Sequence, residues 1–438
     1  MAASTGWFNK IKYLNRIRLT CRRFDWVIRR MYTGSVDACV DYQVMGITEQ
    51  PCFSRFVAIR DLEVFGGTGA LAWVGCLSKI RKLTVRNGLA MAEATAIGTL
   101  QNLRQLWLID IQDDSDFNWT CMNRLKLDGL YLHYRLRCID GLETVNAHTL
   151  HVNEWPSPWG RLMDALKAMK NLRHLSVGDA YDSWNAIDFS ELVYLEGITV
   201  VGGVICIDMP VGALRRVVLS GTDANTLRLP PTVEVLRVMP YLVANIDVHS
   251  LLAANLRDLE IEIDVPEFPT ACFNNMPALV SARVKTEGDI VGAVVESPRL
   301  RTVCLQGVSI HDRLVLPPTL RDVSLQCHDC THEIVLSGAN LRSVCIGGGA
   351  RVERLKGVRS LRFLHTDCDE NLPVVEHLHQ MDILRACTRI GFDRAAGLRL
   401  RVDFYAKPDT WNPYWSSYYC AEGCEDAEHQ ADLRGWRW

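Results

Sequence analysis

Cys327, His328, Cys330 and His332, in the run CHDCTH, are the densest group of metal-ligating residue types in the chain. Thiolates and imidazoles at short spacing are zinc ligands, but a structural site needs four in a tetrahedron, and a single Cys-x-x-Cys pair supplies half of one. Cys304, Cys345 and Cys368 stand at nearby positions of the pattern described below and would have to complete the set across neighbouring segments. Reduced loop thiols are the plainer reading. Cys420 and Cys424 form a weaker pair still. Nucleophile and phosphate chemistry find no motif: there is no GxSxG elbow, HExxH pair, kinase signature or glycine loop followed by Lys and Ser or Thr, and Gly347 to Gly349 simply close an apolar run. The sequence therefore predicts no catalytic residue, no metal and no cofactor.

Recognition is the chemistry the remaining residues suit. Trp107, Arg124, Lys126, His151, His174, Tyr194, Arg216 and Arg237 combine aromatic rings with cationic forks, the composition that dominates binding energy at protein interfaces. What would position them is a short phrase that recurs from Ile59 to Thr366. Regular copies read LRQLWL from Leu103, LRHLSV from Leu172, LRRVVL from Leu214, LRDLEI from Leu256, LRTVCL from Leu300, LRDVSL from Leu320 and LRSVCI from Leu341. Looser copies are IRDLEV from Ile59, IRKLTV from Ile80, MNRLKL from Met122, AHTLHV from Ala147, LVYLEG from Leu192, VEVLRV from Val233, LVSARV from Leu279 and LRFLHT from Leu361. Most starts lie about 19 to 25 residues apart, the period of a solenoid rather than of a compact enzyme fold.

Within LRDLEI, Leu259 and Ile261 alternate with Asp258, Glu260 and Glu262, the pattern of a strand with one buried face. One such strand cannot bury its face alone, so the copies must stack into a parallel sheet with the return segments behind it. Returns this short leave room mainly for extended chain or 3₁₀ turns. LAMAEATAIGTL from Leu89, WGRLMDALKAMK from Trp159 and VEHLHQMDILRAC from Val375 carry helical spacing and predict helices. The Pro-Pro pairs in LRLPPTVEVLRV from Leu227 and LVLPPTLRDVSLQ from Leu314 suit turns that feed a strand. The second and fourth positions after each phrase start then point away from the core. They place Arg124, His174, Tyr194 and Arg216 beside the fourth-position residues Trp107, Lys126, His151 and Arg237 on one partner-binding face.

Residues 59 to 366 resemble the leucine-rich repeat family in a short, irregular form. The resemblance implies an α/β solenoid, a horseshoe with a parallel β-sheet on its concave face and mostly extended or 3₁₀ returns on its convex face. It also implies a protein partner on the concave face. The expected organisation is an N-terminal segment over 1–45, the solenoid over 46–370, and a C-terminal cap with an aromatic tail over 371–438.

The N-terminal segment places apolar residues at helical spacing opposite a basic face. One reading is a helical cap on the first repeat. A second is that LNRIRLTCRRFDWVIRR resembles the latter half of an F-box, carried by Leu14, Ile17, Cys21, Phe24 and Ile28. That resemblance implies binding of a Skp-type adaptor and a role as the substrate-recognition subunit of a cullin-type ubiquitin ligase. The third is a mitochondrial presequence, which goes with a different expectation, a structural subunit of a mitochondrial or ribonucleoprotein assembly.

A chain of 438 residues with 48% hydrophobic content and a formal net charge of -3 can bury a large core and makes nucleic acid an unlikely partner. The longest uncharged apolar stretch, Gly197 to Ile207, is too short to cross a bilayer, so no membrane span is expected. Sixteen cysteines without a secretory signal pattern fit a reducing compartment, the cytoplasm or nucleus, with the mitochondrion as the alternative.

Overall fold

The computed structural model describes residues 36–41, 59–65, 79–86, 91–110, 118–135, 139–154, 159–178, 187–202, 206–210, 212–220, 226–239, 255–263, 265–330, 334–337, 340–348, 354–356, 360–366, 380–386 and 401–404. They fall into two compact units, Met1–Val204 with Pro210–Leu214, and Ile205–Met209 with Arg215–Trp438.

In the first unit the main strands are β1 (Val36–Asp41), β2 (Ile59–Phe65), β3 (Lys82–Arg86), β4 (Gln105–Ile109), β5 (Lys126–Arg135), β6 (Asn146–Glu154), β7 (His174–Val177) and β8 (Gly197–Val201). Each pairs in parallel with the next in sequence, so every connection must cross behind the sheet. The aliphatic positions of the phrase build the core: Leu83, Val85, Leu106, Leu108, Leu130, Leu132, Leu150 and Val152 are all 1% exposed or less. Burying each such side chain is worth roughly 1.5–3 kcal/mol, which explains why these positions stay aliphatic while their neighbours vary.

The returns pack against the other side of that core. Two carry the expected helices, α1 (Met91–Gly98) and α2 (Trp159–Ala168). Helix α2 buries Leu162, Met163, Ala165 and Leu166, one stripe of an amphipathic helix. Others use 3₁₀ turns at Trp119–Met122 and Leu142–Thr144. The first is capped by Asn118, whose Oδ1 accepts from the Thr120 N–H at 2.8 Å. Gly141 closes against the same asparagine with φ +85°, where an added Cβ would lie 2.6 Å from Asn118 Oδ1, so both conformation and space require glycine.

The second unit repeats the plan. Its main strands are β9 (Arg216–Ser220), β10 (Val235–Met239), β11 (Asp258–Ile263), β12 (Glu267–Pro269), β13 (Ser281–Thr286), β14 (Asp289–Val291), β15 (Thr302–His311), β16 (Asp322–Cys330), β17 (Ser343–Gly348), β18 (Ser360–Thr366), β19 (Gln380–Ala386) and β20 (Arg401–Phe404). The parallel ladder β9–β10–β11–β13–β15–β16–β17–β18–β19–β20 follows sequence order. Strands β12 and β14 lie alongside, ending on the second half of β15. Returns are extended, including small parallel pairs such as Leu314–Val315 with Ile334–Ser337, or 3₁₀, as at Thr270–Asn275. Both Pro-Pro pairs form the expected turns, closed by Val233 N–H to Pro230 O at 3.2 Å and Leu320 N–H to Pro317 O at 3.3 Å.

One helix expectation fails. Within the segment predicted helical from Val375, Gln380–Ala386 is a strand, paired between β18 and β20. Sheet pairing on both sides outweighs a local helical pattern that contributes only tenths of a kcal/mol per residue.

Register and burial together make each unit a solenoid of the leucine-rich-repeat type: successive parallel strands with inward leucines and short returns.

Candidate partner-binding face

Residues that alternate with the core positions form rows across the sheet's outer face. In the first unit the row reads Glu63, Thr84, Trp107, Tyr131, His151, Ser176 and Thr199, each the register partner of the next. A parallel row reads Gln105, Gly129, Thr149, His174 and Gly197. Trp107, His151 and His174 thus lie where the sequence predicts them.

Lys126, Arg124 and Tyr194 do not, and the cause is register. The phrase at the fifth strand is LDGLYL from Leu127, not MNRLKL from Met122, so Tyr131 takes the place expected for Lys126. At β8 the phrase is LEGITV from Leu195, not LVYLEG from Leu192, so Thr199 takes the fourth position. Both wrong copies keep acceptable spacing, which is why spacing alone could not reject them. Lys126 and Arg124 are exposed at the entry to β5, and Tyr194 is 49% exposed in the turn before β8, with the Arg173 guanidinium 5.9 Å from its ring centroid.

The correct register assembles a stack. Trp107 lies over Tyr131 with centroids 3.9 Å apart and planes within 11°, and its indole also stacks on His133 at 5.4 Å and 5°. His133 continues to His151 at 4.7 Å, and Lys82 approaches the indole from β3 at 5.4 Å. Gly129 makes this possible, since a Cβ there would lie 2.5 Å from Tyr131 Cε2 and the ring has to lean across its own strand. The stack is half-buried.

Its electrostatics keep it neutral. Burial, with His133 adding to it, pushes the His151 pKa down to about 4. Burial and then Arg86 lower that of His133, against Asp110. His151 Nδ1 meets Ser176 Oγ at 2.8 Å. Trp107 Nε1, His133 Nε2 and His151 Nε2 are shielded from solvent with no hydrogen-bond partner among the described residues, at a cost of about 1–3 kcal/mol for each such group.

The second unit presents charge instead. Its row runs Val218, Arg237, Glu260, Arg283, Cys304, Ser324 and Cys345. Glu260 lies between two arginines, 3.3 Å from Arg237 Nε and 3.1 Å from Arg283 Nη1, and Lys285 pairs with Glu262. Arg237 also reaches Asp258 at 3.8 Å. Burial and then Arg237 lower the Arg216 pKa, against Asp258. Arg237 therefore sits in a network of ion pairs with Arg216 close by, in the other unit from Trp107.

The metal reading of CHDCTH meets the pleat of the sheet. Cys327 alternates with Ser324 and points into the core at 2% exposure, whereas Cys304 and Cys345 flank Ser324 on the outer row. Residues on opposite faces cannot share an ion. Among the described residues no group of three or more His, Cys, Asp or Glu side chains could hold a metal. His332, the Cys330 side chain and Cys368 lie outside the described residues, as do the F-box-like residues Leu14, Ile17, Cys21, Phe24 and Ile28 and the aromatic tail. No described helix is long and apolar enough to cross a membrane.

One constellation escapes sequence reading because its members come from different repeats. Ser309 Oγ donates to Asp289 Oδ1 at 2.5 Å, and His311 Nε2 lies 2.9 Å from Ser309 Oγ and 3.0 Å from Asp289 Oδ2. It holds the residue types of a hydrolase triad without the geometry. The same imidazole nitrogen faces both partners, and the serine proton is committed to the carboxylate, so no base activates the hydroxyl. The Ser309 hydrogen bond, ahead of His311, holds the Asp289 pKa below its ordinary value. The arrangement clasps β14 to β15.

No family model and no curated protein matches the chain. Among solved structures it is similar to a leucine-rich-repeat protein of Leptospira interrogans, at 14% identity over 82% of this chain and 94% of that one, TM-score 0.43. It is also similar to an internalin of Listeria monocytogenes, at 14% identity over 61% and 79%, TM-score 0.38. A third similarity is to a plant peptide hormone receptor in complex with its peptide, at 12% identity over 85% and 78%, TM-score 0.37.

Proposed function

We propose that this chain is a non-enzymatic recognition module that captures a protein partner on the outer face of its first unit, centred on Trp107, Tyr131, His133 and His151. The stack itself carries this reading. Aromatic residues at the centre of a patch supply most binding energy at interfaces, and rings already locked against one another lose little further freedom when a partner arrives.

The specific form we favour is a cytoplasmic or nuclear substrate receptor of a cullin-type ubiquitin ligase. Its support is the F-box-like run from Leu14 through Ile28, which would bind a Skp-type adaptor while the repeats hold the substrate. Affinity purification of the full chain tests both levels. Cullin and adaptor should be recovered with the intact chain and lost on Ile17→Asp with Phe24→Asp. Trp107→Ala with Tyr131→Ala should retain the adaptor and lose a distinct second protein. Recovery of organellar or ribonucleoprotein subunits without adaptor would refute the ligase form. An unchanged set of partners in the folded Trp107 and Tyr131 variant would refute the recognition face.

A further inference from the structure

One position ahead of the outer-face rows, the main chain forms a second column at the N-terminal ends of the strands. The Arg81 N–H donates to Arg60 O at 2.7 Å, and the Arg104 N–H donates to Arg81 O at 2.7 Å. Three arginines therefore stand on successive strands about 4.8 Å apart. Arg104 Nη1 donates to Lys126 O at 2.9 Å, which brings the entry to β5 into the same edge. Lys79 and Arg124 are exposed two residues ahead of Arg81 and Lys126. Among the described residues none of these six cations forms an ion pair. The column reaches an acid only at Asp128, whose N–H donates to Arg104 O at 2.7 Å.

The second unit carries the same column, neutralised in one stretch and not in another. There the column opens with Arg215, Glu234 and Arg257, joined by the same N–H to carbonyl bonds at 2.7 Å, and continues through Val280 to Arg301, Arg321 and Arg342. Glu234 neutralises both neighbours, at 2.6 Å to Arg215 Nη1 and 3.7 Å to Arg257 Nη1. Like charges on adjacent strands repel, so Arg60, Arg81 and Arg104 bear a repulsion that Glu234 relieves between Arg215 and Arg257; Arg301, Arg321 and Arg342 form a second such run with Arg299 beside it, whereas the first run is widened by Lys79, Arg124 and Lys126.

We propose that this edge, from Arg60 to Lys126, is a docking track for an Asp- or Glu-rich polypeptide segment. The proposal goes beyond the outer-face reading and does not depend on it. Guanidinium forks match carboxylates two bonds at a time, and cations at strand spacing suit an extended acidic chain laid across the strand ends. A single-stranded nucleic acid would also want open ring faces for its bases. The adjoining rings offer few, because Lys82 and Tyr131 flank the Trp107 indole from the two neighbouring strands.

The test is fluorescence anisotropy of the full chain with a labelled oligo-glutamate peptide at about 20 mM and about 200 mM salt. A phosphorylated serine peptide and a single-stranded oligonucleotide serve as competing probes. The intact chain should bind the glutamate peptide at low salt and weaken at high salt. Arg60→Gln with Arg81→Gln and Lys126→Gln should lose at least about tenfold in affinity, while Arg301→Gln with Arg321→Gln should bind as the intact chain does. Should circular dichroism show the triple variant unfolded, the single variants Arg81→Gln and Lys126→Gln are each expected to lose about twofold or more. The track is overturned by absence of binding at low salt, by unchanged binding in the folded first-unit variants, or by an equal loss in the Arg301 and Arg321 variant. Tighter binding of the oligonucleotide or phosphopeptide overturns the choice of occupant.

Discussion

Acidification should loosen the aromatic stack through His151. Its pKa falls from 6.5 to about 4 in the fold, burial being the main cause. The unfolded chain therefore binds the proton more readily, and the stability contributed by keeping this imidazole neutral is fully present above about pH 6.5 and is lost as pH falls toward 4. Integrating the linkage between pH 7 and pH 5 gives a loss of about 2 kcal/mol. His133 shifts in the same direction and adds to it. Urea denaturation followed by far-UV circular dichroism at the two pH values measures the change, and His151→Gln isolates the residue, because it removes the titrating group and should flatten the dependence. Ring resonances in NMR offer a direct check: one histidine should remain neutral well below pH 6. An identical pH dependence in intact chain and variant, or a His151 titration at or above its ordinary value, would refute the assigned burial of this ring.

Gly129→Ala should displace the Tyr131 ring, since the new Cβ would sit 2.5 Å from Cε2, and cost about 1 kcal/mol of stacking; loss of near-UV ellipticity and a lower Tm are the readouts. Leu259→Ala, at a core position 1% exposed, should destabilise by about 2–5 kcal/mol in the same denaturation assay, far more than any outer-row substitution. Burial pushes the Cys272 thiol up to about 12, against backbone hydrogen bonds, so alkylation at pH 8 followed by mass spectrometry should modify it only after unfolding.

The inward half of the fold was legible because a strand buried on one face leaves a two-residue aliphatic alternation that returs cannot imitate over many copies, as at Leu259 and Ile261. Helices α1 and α2 were legible for the same reason at a different period. The outward half was less so. Met122 and Leu127 both open a phrase with acceptable spacing, and only hydrogen-bonded register chooses Leu127, which carries Tyr131 and His133 into the stack and moves Lys126 to the edge. LDGLYL and LEGITV both put an acidic residue and glycine where the regular copies have Arg and a polar residue, so neither matched the Leu-Arg form of the phrase. The segment from Val375 misled because its helical spacing is local, whereas its strand is set by β18 and β20 on either side. The Asp289, Ser309 and His311 clasp left no motif, since residues from two repeats meet only through pairing of β14 with β15.

The central claim, that a protein partner is held on the outer face of the first unit, is tested most directly by site-specific photocrosslinking. A photoreactive side chain replaces His174 on the outer row, and in a second protein Arg161 on helix α2. Both positions are exposed, and both substitutions leave the core intact. A covalent protein adduct from position 174 and none from position 161 is the predicted result. An adduct from position 161 alone would place the partner on the return side and contradict the account.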